Sequence, residues 1–169
     1  MAKLITVSEN LLKEILPHLK NTPLEKKIND LIENTGKYQT QNITYFPKIG
    51  KVERIVDGDT IVLNNGSIVR YVGITCPEDN EPFDKESTEA NRKLVEGKQV
   101  SLEYDNYKGD KFGRILAYVI IDGKNVSIEL AKLGMAQVVV YQHKKPFIYQ
   151  DQLLKAQDEA RKNKRGIWS

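Results

Sequence analysis

The feature that most limits the fold of this chain is a change of hydrophobic period at Lys48. Before it, apolar residues recur at helical spacing. After it they alternate in short runs separated by turn signals, the pattern of half-buried strands. Residues 50–55, 60–63 and 67–74 read as three strands, and the last two are joined by Asn64-Asn65-Gly66, a hairpin turn sequence. A polar, acidic loop follows, then a helix over 84–96 that stops at Gly97. Residues 99–104 and 114–121 read as two further strands, with Asp122-Gly123 as a turn. Asn125 caps a helix through Leu133, which Gly134 terminates. A short apolar run, Val138-Val139-Val140, leads into a loop over 142–147. The last helix is expected over 149–164, with Leu153, Leu154, Ala156 and Ala160 turned inward.

Five short strands with a helix between the third and fourth describe an α+β protein: a five-stranded barrel of the OB type with about three helices. That architecture lends its face and loops to nucleic acids, although fold alone licenses no function. Residues 1–47 read as a separate helical extension and linker, and 48–169 as the barrel domain. In the extension, Leu11, Leu12, Ile15, Leu16 and Leu19 share a helical face, with Pro17 as a kink or stop. Thr22-Pro23-Leu24-Glu25 is a capping box with Pro at the first helical position, followed by Leu24, Ile28, Leu31 and Ile32 on one face. Two amphipathic helices over 1–36 suit a dimer contact, a docking face for a protein partner, a lid, or simple packing on the barrel.

Composition narrows the class without deciding it. The chain has 169 residues, 40% of them hydrophobic and 29% charged, enough for a real core under a well-solvated surface. No run approaches the roughly 20 apolar residues of a membrane span. The N-terminal apolar run, Leu4 to Val7, falls short of the about 7–15 residues of a secretory signal, so the expected location is cytoplasmic unless a leader was removed. A single cysteine, Cys76, excludes an internal disulfide. The net charge of +3 tolerates a polyanionic partner without requiring one.

Three charged clusters fall where the strand pattern expects a turn or a strand end. Asp57-Gly58-Asp59-Thr60 sets two carboxylates about a glycine and can aim both at one point, as a hard oxygen-ligated cation requires. Arg70 lies inside a strand and must face a partner or a cleft, because a buried guanidinium needs pairing. Pro77-Glu78 follow it in the next loop. Asp110-Lys111-Phe112-Gly113-Arg114 is a charged hairpin tip running into a strand. Alone, the first and third clusters read as ordinary polar turns, and Arg70 reads as readily as an edge ion pair.

Taken in order, they resemble the staphylococcal nuclease family. The resemblance runs from about Lys51 to the terminal Ile167-Trp168-Ser169 through Val-Asp-Gly-Asp-Thr (56–60), Val-Arg-Tyr-Val-Gly-Ile-Thr-Cys-Pro-Glu (69–78), Asp-Lys-Phe-Gly-Arg-Ile-Leu-Ala-Tyr (110–118) and the ending Gly-Ile-Trp. It implies a calcium-dependent nuclease that hydrolyses DNA and RNA with little sequence preference and leaves 3′-phosphate ends. Asp59 would be the principal ligand of one calcium ion, with Asp57 close by and Thr75 and Cys76 in the adjoining loop, Cys76 through its backbone carbonyl. Arg70 and Arg114 would clamp the scissile phosphate, and Glu78 would orient or deprotonate the attacking water. Lys111, Phe112, Tyr141 and Lys144 would contact the substrate.

The match departs from the family pattern in three places. Thr75 stands where a second carboxylate ligand is usual, which weakens the expected hold on calcium. Phe112 lacks the hydroxyl of the usual tyrosine. Tyr141 stands alone where the family carries a pair, beside Gln142-His143-Lys144-Lys145. Thr75 favours the alternative of a weakly active or inactive nucleic-acid- or protein-binding scaffold. The survival of Asp59, Arg70, Glu78 and Arg114 together favours the enzyme.

Overall fold

A computed structural model of the chain describes residues 46–140 and 145–169. They belong to one unit, Phe46–Ser169. The helices expected over 1–36, with the partner contact they suggest, lie outside the described residues, as do Tyr141 and Lys144.

The sheet is organised by β1 (Ile49–Asp57), whose nine residues let it serve two neighbours. Its first half pairs antiparallel with β5 (Gln99–Glu103), from Ile49 opposite Ser101 to Lys51 opposite Gln99. Its second half pairs with β2 (Thr60–Leu63), from Val52 opposite Leu63 to Asp57 opposite Thr60. Register shifts between Val52 and Arg54 and between Ile55 and Asp57 bend the strand, as bulges do. β2 continues through the predicted Asn64-Asn65-Gly66 turn into β3 (Ile68–Tyr71), with Gly66 at φ +81°. A parallel pairing of β3 with β6 (Ile115–Ile121), Arg70 opposite Leu116, closes the ring, and β6 pairs back onto β5. The expected five-stranded barrel is therefore present. Val52, Ile61, Leu63, Val69 and Val119 fill it, all fully buried.

One strand differs from expectation. The run 67–74 is divided: β3 ends at Tyr71, and β4 (Ile74–Thr75) pairs instead with β8 (Gln137–Val138). The reason is Gly73, in the left-handed region at φ +82°, where a Cβ would come within 2.8 Å of the Leu153 and Phe147 side chains. The apolar run in the sequence continues across this turn and conceals it. Between β6 and β8, β7 (Lys124–Asn125) forms a short arm on β6.

Three helices pack around the ring: α1 (Asp84–Val95), α2 (Val126–Leu133) and α3 (Gln150–Lys162). Asn125 caps α2 by accepting from the Ser127 amide at 2.9 Å, and Gly134 ends it at φ 72°. In α3, Leu153, Ala156 and Ala160 are buried as expected, while Leu154 is half-buried. The buried Gln157 accepts from the Val138 amide at 2.7 Å, so a polar residue ties α3 to β8. The inner face of α1 is also polar: Ser87 and Asn91 are buried beside Val95. No helix among the described residues is long and apolar enough to cross a membrane.

Candidate active site

β1 ends at Asp57, and the chain turns over Gly58 before β2 begins at Thr60. Gly58 is required by space. A Cβ there would lie 2.6 Å from that of Cys76 and 2.9 Å from that of Ser87. The turn is drawn tight by the Asp59 amide, which donates to Asp57 Oδ1 at 2.9 Å. Asp59 is 4% exposed. Its Oδ2 accepts from Arg70 Nη1 at 2.7 Å and from the Cys76 amide at 2.8 Å, and its Oδ1 from Thr60 Oγ1 at 3.2 Å. Burial raises the Asp59 carboxyl, Arg70 lowers it, and the neighbouring Asp57 raises it again, leaving it at about 7. The guanidinium of Arg70 also donates to the Ile74 carbonyl at 3.1 Å and to Thr75 Oγ1 at 3.4 Å.

The hairpin before β6 supplies a second cation. Asp110 Oδ1 accepts from the amides of Phe112 and Arg114, and its Oδ2 takes Arg114 Nε at 2.7 Å. Partial burial raises the Asp110 carboxyl, but these bonds and the Arg114 charge outweigh it and hold it below its ordinary value. Phe112 is 71% exposed, with Lys111 Nζ 5.0 Å and Arg114 Cζ 5.5 Å from its ring centroid.

Asp57, Asp59, Arg70, Cys76, Glu78 and Arg114 line one cavity of about 560 Å³. Thr75 sits behind Arg70, outside the lining, and Lys111 and Phe112 lie on the hairpin beyond it. Glu78 is exposed, and among the described residues its carboxylate has no ion-pair partner; its own amide donates to Glu81 Oε2 at 2.8 Å. The opposite wall is α1, through Lys85, Thr88 and Arg92. These three were not singled out from sequence. Their spacing of three and four residues marks one helical stripe, but a polar stripe reads as a solvated face unless a cavity is known to lie against it.

The donor set suits a hard cation, though sparsely. Among the described residues no three of His, Cys, Asp and Glu converge as a ready metal cluster. Two carboxylates, Asp57 and Asp59, stand at the turn and line the cavity. A cation held there would be oxygen-ligated, with its remaining positions filled by water. The Cys76 thiol does not contribute: burial pushes it well up, and its side chain packs on the Gly58 turn.

A family model described as Staphylococcal nuclease homologue matches residues 68–169. The chain belongs to the staphylococcal nuclease family. It is 40% identical over 129 residues to the SPbeta prophage-derived endonuclease YokF of Bacillus subtilis (strain 168), covering 70% of this chain and 43% of that protein. It is 38% identical over 129 residues to Endonuclease YncB of the same organism, covering 70% and 60%. Against the thermonuclease of Staphylococcus hyicus it is 34% identical over 128 residues, covering 70% and 75%. The chain thus spans only about half of the two Bacillus relatives, and most of the staphylococcal one.

Proposed function

We propose that this member of the staphylococcal nuclease family is a phosphodiesterase that uses a divalent cation, calcium first, to cut DNA and RNA with low sequence specificity. The observation that carries the reading is convergence. Five charged side chains spread from Asp57 to Arg114, with Asp59, Arg70 and Glu78 between, line a single cavity. The relatives named endonuclease and thermonuclease support the same reading.

In the mechanism, Arg70 and Arg114 bind the scissile phosphate and neutralise the charge that grows on its equatorial oxygens. Arg70 must exchange its bond to Asp59 for the phosphate, while Arg114 keeps its orienting bond to Asp110. Glu78, exposed at the cavity, takes a proton from the attacking water. The water oxygen bonds to phosphorus as the P–O5′ bond breaks and the leaving O5′ takes a proton from solvent, giving a 3′-phosphate and a 5′-hydroxyl. Asp59 and Asp57 would hold the cation, with the Cys76 backbone carbonyl and water completing its surroundings, while the Thr75 hydroxyl is engaged by Arg70 outside the cavity. When bound, calcium supplies Lewis-acid charge at the phosphate and lowers the pKa of the attacking water. Lys111, Phe112, Tyr141 and Lys144 are assigned to the flanking nucleotide, where an aromatic beside cations accepts any base.

A second reading is favoured by Thr75, which brings no charge where a third carboxylate would strengthen the ion site. It is a scaffold that binds nucleic acid without cutting it. Degradation of a fluorescent single-stranded DNA, followed with calcium, with chelator, and with Glu78→Gln in calcium, separates the two. Cleavage that needs the ion and falls about 100-fold or more in the variant supports the enzyme. Retained binding with no cleavage at millimolar calcium, magnesium or manganese would establish the scaffold.

A further inference from the structure

The inner face of α1 carries a buried polar pair that packing does not require. Asn91 is fully buried, and both ends of its amide are used. Its Oδ1 accepts from the Tyr71 hydroxyl at 2.8 Å, and its Nδ2 donates to the backbone carbonyl of Asp57 at 3.0 Å. Tyr71 is itself 2% exposed, on the closing strand β3. The Asp57 carbonyl can only accept, so the NH₂ end of the amide must face it, and the Tyr71 hydroxyl then donates to the carbonyl end. One turn earlier, Ser87 lies against Gly58, and its hydroxyl donates to the Met135 carbonyl at 2.8 Å. The last peptide of β1 is thus gripped between α1 and β3.

We propose that Asn91 is a positioning residue for the cation site, acting with Tyr71. It fixes the Asp57 carbonyl, and so the peptide that follows it. That peptide sets how the Asp57 and Asp59 carboxylates stand to each other, since the Asp59 amide reaches back to Asp57 Oδ1 at 2.9 Å. With only two carboxylates at the turn and a neutral Thr75 nearby, their relative placement governs the hold on a divalent ion more than it would in a site rich in ligands. The inference rests on the functional reading above for its consequence, and on the hydrogen bonds alone for its geometry.

The experiment compares the full-length chain with Tyr71→Phe, Asn91→Leu, the double variant, and Leu130→Ala as a control destabilised in the core away from the turn. Two readouts are taken well below each variant's unfolding temperature. One is calcium binding by titration calorimetry. The other is hydrogen exchange of the Asp59 amide in cation-free protein. Asn91→Leu should weaken calcium binding about 10-fold and speed Asp59 exchange. Tyr71→Phe should shift both in the same direction by less, and the double variant should go no further than Asn91→Leu. Leu130→Ala should leave the calcium affinity unchanged. Should Asn91→Leu bind calcium and protect Asp59 as the unaltered chain does, or as Leu130→Ala does, the proposal is overturned. If the unaltered chain binds no calcium, the cation reading fails by itself, and Asp59 exchange alone then decides whether Asn91 positions the turn.

Discussion

Two arginine–aspartate pairs serve the cavity, and both close at 2.7 Å. Arg70 meets Asp59 across the β2–β3 hairpin, with side chains 17% and 5% exposed. Arg114 meets Asp110 within a single turn, with side chains 31% and 16% exposed. The local pair forms wherever the hairpin tip forms, and water screens it. The buried pair exists only in the folded barrel, where the loss of solvation at Asp59 outweighs the attraction of Arg70 and any unpaired survivor is expensive. The same charges are therefore used differently: at the hairpin to aim a guanidinium, in the barrel to hold an anion and a cation out of water.

The sharpest way to break this distinction is Arg70→Gln. It should lower cleavage about 100-fold or more and also remove about 3 kcal/mol of stability, read by urea unfolding. Arg114→Gln should lower cleavage by a similar factor while changing stability by less than about 1 kcal/mol. Equal stability losses in the two variants would erase the difference. The turn glycines extend the test. Gly58→Ala has no room for its Cβ and should cost about 1–3 kcal/mol through overpacking. Gly113→Ala has open space but a φ of +79°, and should cost about 1 kcal/mol through backbone strain.

The smallest effect is expected at Asp105, which accepts from the Tyr118 hydroxyl at 2.9 Å and the Ile148 amide at 2.8 Å. Burial raises this carboxyl, but those bonds and the Asn106 amide outweigh it and hold it below its ordinary value of 3.8. A depressed carboxyl stabilises the fold fully above its unfolded value, and the contribution fades as pH falls through the folded one. Asp105→Asn should therefore lose about 1 kcal/mol at neutral pH. Unfolding curves of variant and parent should converge as the pH drops below 3.8. A gap that persists there would mean the bonds matter and the charge does not.

The barrel was legible because its residues obey simple rules: alternation for β5, short apolar runs bounded by turn residues for β2 and β6, a cap at Asn125, a stop at Gly134. The clusters at 57–60, 70–78 and 110–114 each read alone as a polar turn or an edge pair, and became legible only through their order along the chain, which resembles the family pattern. What sequence did not disclose depends on distance in space. Gly73 breaks a strand with its left-handed turn, and the room for a glycine alone is set by Phe147 and Leu153, neither near it in the chain. Asn91 and Ser87 look like polar residues on an exposed helix face, and only the approach of Asp57 and Gly58 turns them inward. Lys85, Thr88 and Arg92 line a cavity whose other wall comes from residues before and after them.

The parallel seam between β3 and β6 carries a further consequence. Arg70 lies on one of its strands, and Arg114 stands immediately before the other. Nothing local in the chain brings these two arginines together, so the cavity exists only when the ring is shut. With its charges divided across the seam, the cavity is complete only once the last strand of the ring has closed on β3.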